Sequence, residues 1–374
     1  MQIYLDNAST TPLDHRVLEI MLPYFSEEYG NPESQHQKGK KALLAIDNAR
    51  EIIAEILHCQ PAEIIFCGSA TETNNLAILG IGRANPKSHF ITSVIEHSSV
   101  LKPFQQLEKE GHTVTYLKVD KEGLIHMEGI EKAIQKNTKL VSIMYANNEI
   151  GAIEPIAEIG RICRSRNIPF HMDACQAATT LDLNTKNLNA DMMTLNGSKI
   201  YGPKGIGILF VRQNIKLQPI IYGGGQEKNL RSGTHNVPII VGFAKALELA
   251  QKEKNEERNR LTKLRNQSID ELLRQIPGSQ INGSRINRLA NNINISIPGV
   301  ESTDLLLHLD EAGIYASAGS ACSTGKAEPS YVLKAIGLPE EKIHSSIRLT
   351  LGKGTTDKDM EYVVEKIVKI AKRV

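Results

Sequence analysis

Nothing in this 374-residue chain reads as a membrane span, because no uninterrupted apolar stretch reaches the roughly 18 residues that a spanning helix needs. The opening residues, Met1-Gln2-Ile3-Tyr4-Leu5-Asp6, lack the basic and apolar regions of a secretory signal. Strong charge of either sign is missing as well. A formal net charge of +2 argues against nucleic acid or a membrane surface as the main partner. Cysteine is sparse: Cys59, Cys67, Cys163, Cys175 and Cys322 form no C-x-x-C pair, and an odd number in a long chain is no disulfide framework. A reducing, cytoplasmic setting is the expectation. Internal repeats and low-complexity tracts are absent too.

What is there fits an ordinary globular enzyme-sized protein. Apolar residues make up 41% and charged residues 23%, enough for a sizeable core and, at roughly 150 residues per domain, for two or three domains. Residues 35–57 have Leu43, Ile46, Ala49, Ile53 and Ile56 at helical spacing. Short apolar runs at 63–67, 90–95, 113–119, 140–145, 169–172, 192–195 and 207–211 read as strands. Helical segments at 99–110, 129–135 and 156–166 alternate with several of them, which argues for an α/β fold with a mainly parallel sheet. After residue 238 the pattern changes to a long charged helix ending near 275, a strand at 292–297, a helix at 302–312, a small-residue loop at 317–326 and a last helix from 356. The division expected is a large α/β domain over residues 14–255, and a smaller α+β domain from residues 1–13 and 256–374.

Several residues are candidates for chemistry. Lys199 follows a strand and sits among turn-forming residues, Asn196-Gly197-Ser198-Lys199-Ile200-Tyr201-Gly202. A desolvated lysine there could form a Schiff base, yet taken alone this stretch reads first as a surface-loop lysine. Asp173 ends a buried strand, where a carboxylate must pair with a cation or cap a helix. The turn at 68–71 could cradle a phosphate at a helix start, although an ordinary βα turn looks the same. His97 follows another strand, and could stack on a ring or simply be structural. Gly223-Gly224-Gly225 reads as a turn. Cys322 lies in Ala318-Gly319-Ser320-Ala321-Cys322-Ser323-Thr324-Gly325-Lys326, small residues that suit a thiol which must move. The same stretch misses the phosphate-binding G-x-x-x-x-G-K-[ST] pattern at Ser320 and Ala327. Arg348 alternates with apolar residues in a strand-like run, apt for a carboxylate or for an internal ion pair.

In order along the chain, these motifs resemble the cysteine desulfurases of the class V aminotransferase family. The matching stretches include Ile3 to Pro12, Gly30-Asn31-Pro32, Ala70-Thr71-Glu72, Glu96-His97, Asn147-Asn148-Glu149-Ile150-Gly151 and Asp173-Ala174-Cys175-Gln176. Lys199 through Gly205, Arg231-Ser232-Gly233-Thr234, Gly319-Ser320-Ala321-Cys322, Glu328-Pro329-Ser330 and Ser345-Ser346-Ile347-Arg348 follow. The long loop resembles group I of that family. The resemblance implies a pyridoxal 5'-phosphate (PLP) enzyme of fold type I, with a mainly parallel seven-stranded sheet. It matches Lys199 to the lysine that holds the cofactor and moves protons, and His97 to the histidine stacked on the ring. Asp173 matches the partner of the ring nitrogen, Gln176 the donor to the ring oxygen, and Ala70 and Thr71 the phosphate binders. Thr234 corresponds to a phosphate contact reaching across from a second subunit. Asn148 and Arg348 match substrate and cofactor contacts, with Arg348 on the carboxylate, and Cys322 the nucleophile that receives sulfur.

The implied reaction turns L-cysteine into L-alanine and a persulfide on Cys322. Implied partners are a second copy of the chain and a sulfur-acceptor protein, either an iron–sulfur scaffold or a tRNA-thiolation enzyme. No resident metal is implied; Cys322 could serve as a transient iron–sulfur ligand. Asn196 and Ser198 depart from the family pattern, which has Ser or Thr at the first position and His at the second. Both can still donate to a phosphate. Val374 comes soon after the last helix, where the resemblance implies that scaffold-docking members often carry an extension, so docking by that route is not the expectation. Alternatives are a related lyase for selenocysteine or cysteine sulfinate, which would need no acceptor thiol, and a weakly active iron–sulfur scaffold partner.

Overall fold

Buried parallel strands read as unbroken apolar runs, and here they build the centre of the protein. The computed structural model describes residues 2–319 and 329–372. Seven strands form one sheet in the order Ile64–Cys67, Gly207–Val211, Met192–Asn196, Phe170–Asp173, Thr138–Ser142, His89–Ser93, Thr113–Leu117. Only Gly207–Val211 runs against its neighbours, so the sheet is mainly parallel. All seven expected strands are present, with small displacements at their ends. Residues 143–145 lie outside the assigned strand, yet the pairing continues there through Ile143 N to the His171 carbonyl (3.1 Å) and Tyr145 N to the Asp173 carbonyl (2.8 Å).

Helices cover the sheet. Gln37–Leu57 starts on a His36 cap and ends at His58 in the left-handed region (φ 55°). Its buried stripe runs through Ala42, Ala45, Ile46, Ala49 and Ile53. Leu43 departs from the expected stripe: it is exposed, as is Leu44, because the alanines face the core instead. The helices Ser98–Lys109, Met127–Ala133 and Ile156–Ser165 lie where the periodicity put them. Short helices at His15–Met21, Pro23–Ser26, Tyr331–Ala335 and Glu340–His344 were not expected.

The 39-residue helix Val237–Gln275 joins two apolar cores. Its first half, from Val237 to Ala250, packs against the large sheet. Its second half, with Leu261, Leu264, Ile269 and Leu272, packs in a core with Ile293, Ile295, Ile347 and Leu349. There Asn292–Ser296 lies between Gln280–Ile281 and Ser346–Thr350, antiparallel to both. Ile3 and Leu5 belong to this second core, and Ile3–Tyr4 pairs in parallel with Ile314–Tyr315. The N-terminal segment therefore crosses from one core to the other, past the ends of the parallel strands.

Candidate active site

Ligand sites in open α/β sheets form beyond the C-terminal ends of the strands. A cavity of about 240 Å³ lies there. Ala70, Thr71, His97, Asn148, Asp173, Gln176, Asn196, Lys199 and Arg348 line it, together with Ala8, Ser9, Ser99, Met144, Ala146 and Cys175. Nine of the positions named from the sequence and the resemblance thus line one space. Ser198 and Thr234 do not line it, and Cys322 lies outside the described residues.

Asp173 is the last residue of its strand and is buried. Its Oδ2 accepts from Asn74 Nδ2 (2.8 Å) and its Oδ1 from Cys175 N (3.0 Å). Two neutral donors hold the carboxylate with its charge uncompensated by either. Two residues earlier on the same strand, His171 is satisfied on both sides by Ser142 and Thr194 hydroxyls (2.8 and 3.1 Å). Burial pushes that imidazole down to about 4, so His171 is neutral and structural.

His97 caps the helix Ser98–Lys109, its Nδ1 accepting from Ser99 N at 3.1 Å. A backbone N–H can only donate, so the neutral ring carries its proton on Nε2. Burial pulls its pKa down, with Asp173 opposing and Lys199 assisting. Asn74 also donates to Ser99 Oγ (2.9 Å), which lies 2.8 Å from His97 Nδ1. One fully buried amide therefore orients both the acid and, through Ser99, the imidazole.

Lys199 ends the short 3₁₀ turn Gly197–Lys199, where the Asn196 side chain accepts from Ser198 N (3.2 Å). Its Nζ donates to the Ser9 carbonyl. The N-terminal segment is tied down around it: Thr11 N and Oγ1 donate to the Ser198 carbonyl (2.8 and 3.1 Å), and Gln176 Nε2 to the Ala8 carbonyl (2.9 Å). On the cavity wall, Arg348 is 1% exposed at the middle of the strand Ser346–Thr350. Nη2 donates to Asp6 Oδ1 (2.7 Å) and Ser9 Oγ (2.8 Å), and Nη1 to the Asn148 carbonyl (3.0 Å). Its Nε is buried without a hydrogen-bond partner among the described residues.

Ala70 and Thr71 begin the helix Ala70–Ala84, whose Ser69 cap accepts from Glu72 N at 3.2 Å. Gly207 lets this helix start sit against the neighbouring strand: a Cβ there would stand 2.6 Å from the Ser69 carbonyl carbon. Thr234 lines a separate surface cavity with Tyr29, Gly30, Asn31 and Pro32. Cys67, Cys163 and Cys175 are buried and Cys59 is partly buried, and burial pushes all four thiols up, Cys59 and Cys163 to about 12. Among the described residues no cluster of three His, Cys, Asp or Glu is arranged to hold a metal ion. No helix among them is long and apolar enough to cross a membrane.

The family model described as aminotransferase class-V matches residues 3–363. The chain belongs to that family. It is 46% identical over its whole length to a cysteine desulfurase IscS of Dictyoglomus turgidum, covering 95% of that protein. A solved NifS-like protein is 36% identical and superposes with a TM-score of 0.94 over all of both chains. SspA in complex with cysteine is 40% identical, with a TM-score of 0.83 over 94% of this chain and 99% of that one.

Sequence reasoning missed Asn74, Ser99, Asp6 and Ser9 as site residues. A signal was present for Asn74: an amide just before the buried run Leu76-Ala77-Ile78-Leu79 of its helix needs a partner.

Proposed function

We propose that this chain is a PLP-dependent cysteine desulfurase that acts on L-cysteine, with Lys199 holding the cofactor and Cys322 accepting the sulfur. The observation that carries this reading is the meeting of Lys199, Asp173, His97 and Arg348 around one cavity in a member of this family.

The residues fit the cofactor. Asp173 is a buried carboxylate held by neutral donors and suits a cationic ring nitrogen. Ala70 and Thr71 present a helix start for the phosphate, with Asn196 nearby on the cavity wall and Ser198 beside it in sequence. Gln176 suits the ring oxygen. When bound, PLP supplies an electron sink for charge left on the substrate carbon.

The chain's own residues do the rest. Arg348 holds the substrate carboxylate; Asp6 and Ser9 lock its fork, and its buried Nε has no hydrogen-bond partner among the described residues. Asn148 fixes that arginine from the other side through its carbonyl. Lys199 Nζ takes and returns the substrate proton, and the neutral His97 presents Nε2–H to the cavity as a second proton carrier. The substrate C–S bond breaks with its electrons left on carbon, which gains a proton to give alanine. An S–S bond forms on Cys322. The sum is L-cysteine plus thiol giving L-alanine plus persulfide, and no external oxidant is needed.

We read the two apolar cores as two domains, residues 14–255 and residues 1–13 with 256–374. We also read the active form as a homodimer. Leu18, Leu22, Phe25, Tyr29, Leu43 and Leu44 are exposed apolar side chains close in sequence, and Thr234 sits away from its own cavity, both of which suit a second copy. The product sulfur passes to an acceptor protein, such as an iron–sulfur scaffold or a tRNA-thiolation enzyme.

The test is alanine release from L-cysteine by PLP-loaded protein with a reductant present. Wild type should turn over, while Lys199→Ala and Cys322→Ala should not. Full alanine release by Cys322→Ala would instead indicate a lyase that needs no acceptor thiol.

A further inference from the structure

We propose that Glu149 is a positioning residue whose carboxylate holds Ser330 and fills the side-chain space at Gly319, the stems on either side of residues 320–328. The inference rests on the reading of Cys322 given above, since Cys322 lies between those stems.

Glu149 is 1% exposed and its backbone is fixed on both sides. Its N–H donates to Asn147 Oδ1 (2.8 Å), and its carbonyl accepts from Asn292 Nδ2 (3.0 Å) and Asn294 Nδ2 (3.1 Å). The side chain then reaches the stems. Oε2 accepts from Ser330 Oγ at 2.6 Å, and a Cβ added at Gly319 would stand 3.2 Å from the same oxygen. A single oxygen thus binds one stem and takes the space a side chain would need on the other. Gly319 lies at φ +138°, where a side chain would be strained as well as crowded.

The clasp is registered to the active site. The neighbouring Asn148 carbonyl holds Arg348. Arg348 in turn pairs by backbone with Ser317 (2.6 and 3.2 Å), whose hydroxyl donates to the Gly319 carbonyl (3.0 Å). On the other stem, Tyr331 donates to the Glu96 carbonyl (2.6 Å), next to His97. A buried carboxylate is a costly packing residue, and an apolar side chain of similar volume would serve a purely structural role better. Burial raises the Glu149 pKa while Ser330 and Arg348 lower it.

Ser330 also caps the helix Tyr331–Ala335 by accepting from Leu333 N (3.1 Å), so capping and clasping must be separated. Ser330→Thr keeps both roles. Ser330→Asp keeps the cap but faces Glu149 with a like charge. The expected result for Ser330→Asp is a kcat about tenfold or more below wild type, with KM for cysteine and bound-cofactor absorbance unchanged. Trypsin cleavage at Lys326 should be faster in that variant. Ser330→Thr should match wild type, and adding Glu149→Gln to Ser330→Asp should restore both kcat and the cleavage rate. Equal behaviour of Ser330→Asp and Ser330→Thr would overturn the clasp and leave capping alone. Wild-type turnover in Cys322→Ala would overturn the parent reading instead, and the cleavage rates, which need no turnover, would still decide the clasp.

Discussion

Glu227 is buried at the centre of the segment that carries Thr234, and replacing it with Gln should expose how that segment is held. Glu227, Lys228 and Asn229 all have positive φ (49°, 59° and 65°), a tight turn that needs support. Glu227 provides it. Oε1 accepts from Arg50 Nη2 (2.6 Å) and His235 Nε2 (2.7 Å), and Oε2 from Arg50 Nη1 (3.0 Å) and Phe66 N (2.8 Å). Burial alone would raise its carboxyl, but His235 and Arg50 outweigh that and hold it at about 2, against a usual 4.5. A gap of that size corresponds to about 3 kcal/mol of stability. It agrees with the roughly 3–5 kcal/mol lost when one partner of a buried pair is removed. The folded pKa is depressed, so the contribution is fully present above pH 4.5 and fades as pH falls towards 2. Urea unfolding of wild type and Glu227→Gln across this range should therefore show a difference near 3 kcal/mol at neutral pH that shrinks with acid. A difference under about half a kcal/mol that does not change with pH would refute the reasoning.

Asn74→Ala strips a donor from both buried Asp173 and Ser99, and should cost about 1–3 kcal/mol in thermal unfolding while weakening cofactor retention. His97 should titrate below its usual 6.5, so the acid limb of kcat should have its midpoint below that value and vanish in His97→Asn. An NMR titration of His97 gives an independent check. Glu96 is fully buried, and burial pushes it up to about 8 despite donors from Ser93 and Met144. Its folded pKa lies above the unfolded value, so it weakens the fold increasingly from pH 4.5 upward until about 8. Glu96→Gln should match wild type near pH 5 and be the more stable protein at pH 9, as melting temperatures would show.

Buried strands were legible because they are continuous apolar runs, as in Ile64-Ile65-Phe66-Cys67 or Gly207-Ile208-Leu209-Phe210-Val211. The long helix was legible from its length and charge pattern. Site residues were legible where a motif carried them, as with Lys199, Asp173 and Arg348. What supports those residues was not. The Ser9 carbonyl on Lys199 and Asp6 on Arg348 act across 190 and 342 residues, and local spacing carries no record of such distances. Leu43 matched the helical period yet faces outward, because period alone cannot rank leucine against the small alanines that pack closest. Pro23–Ser26, at four residues, is too short to show a period at all, and His15–Met21 buries only Val17 and Met21.

The most direct measurement is the mass of the Cys322 peptide after PLP-loaded protein meets L-cysteine without reductant. The account predicts one added sulfur atom on Cys322, matched mole for mole by alanine, and neither in Lys199→Ala. Unmodified Cys322 alongside full alanine release would contradict it, and would move the sulfur chemistry away from this thiol.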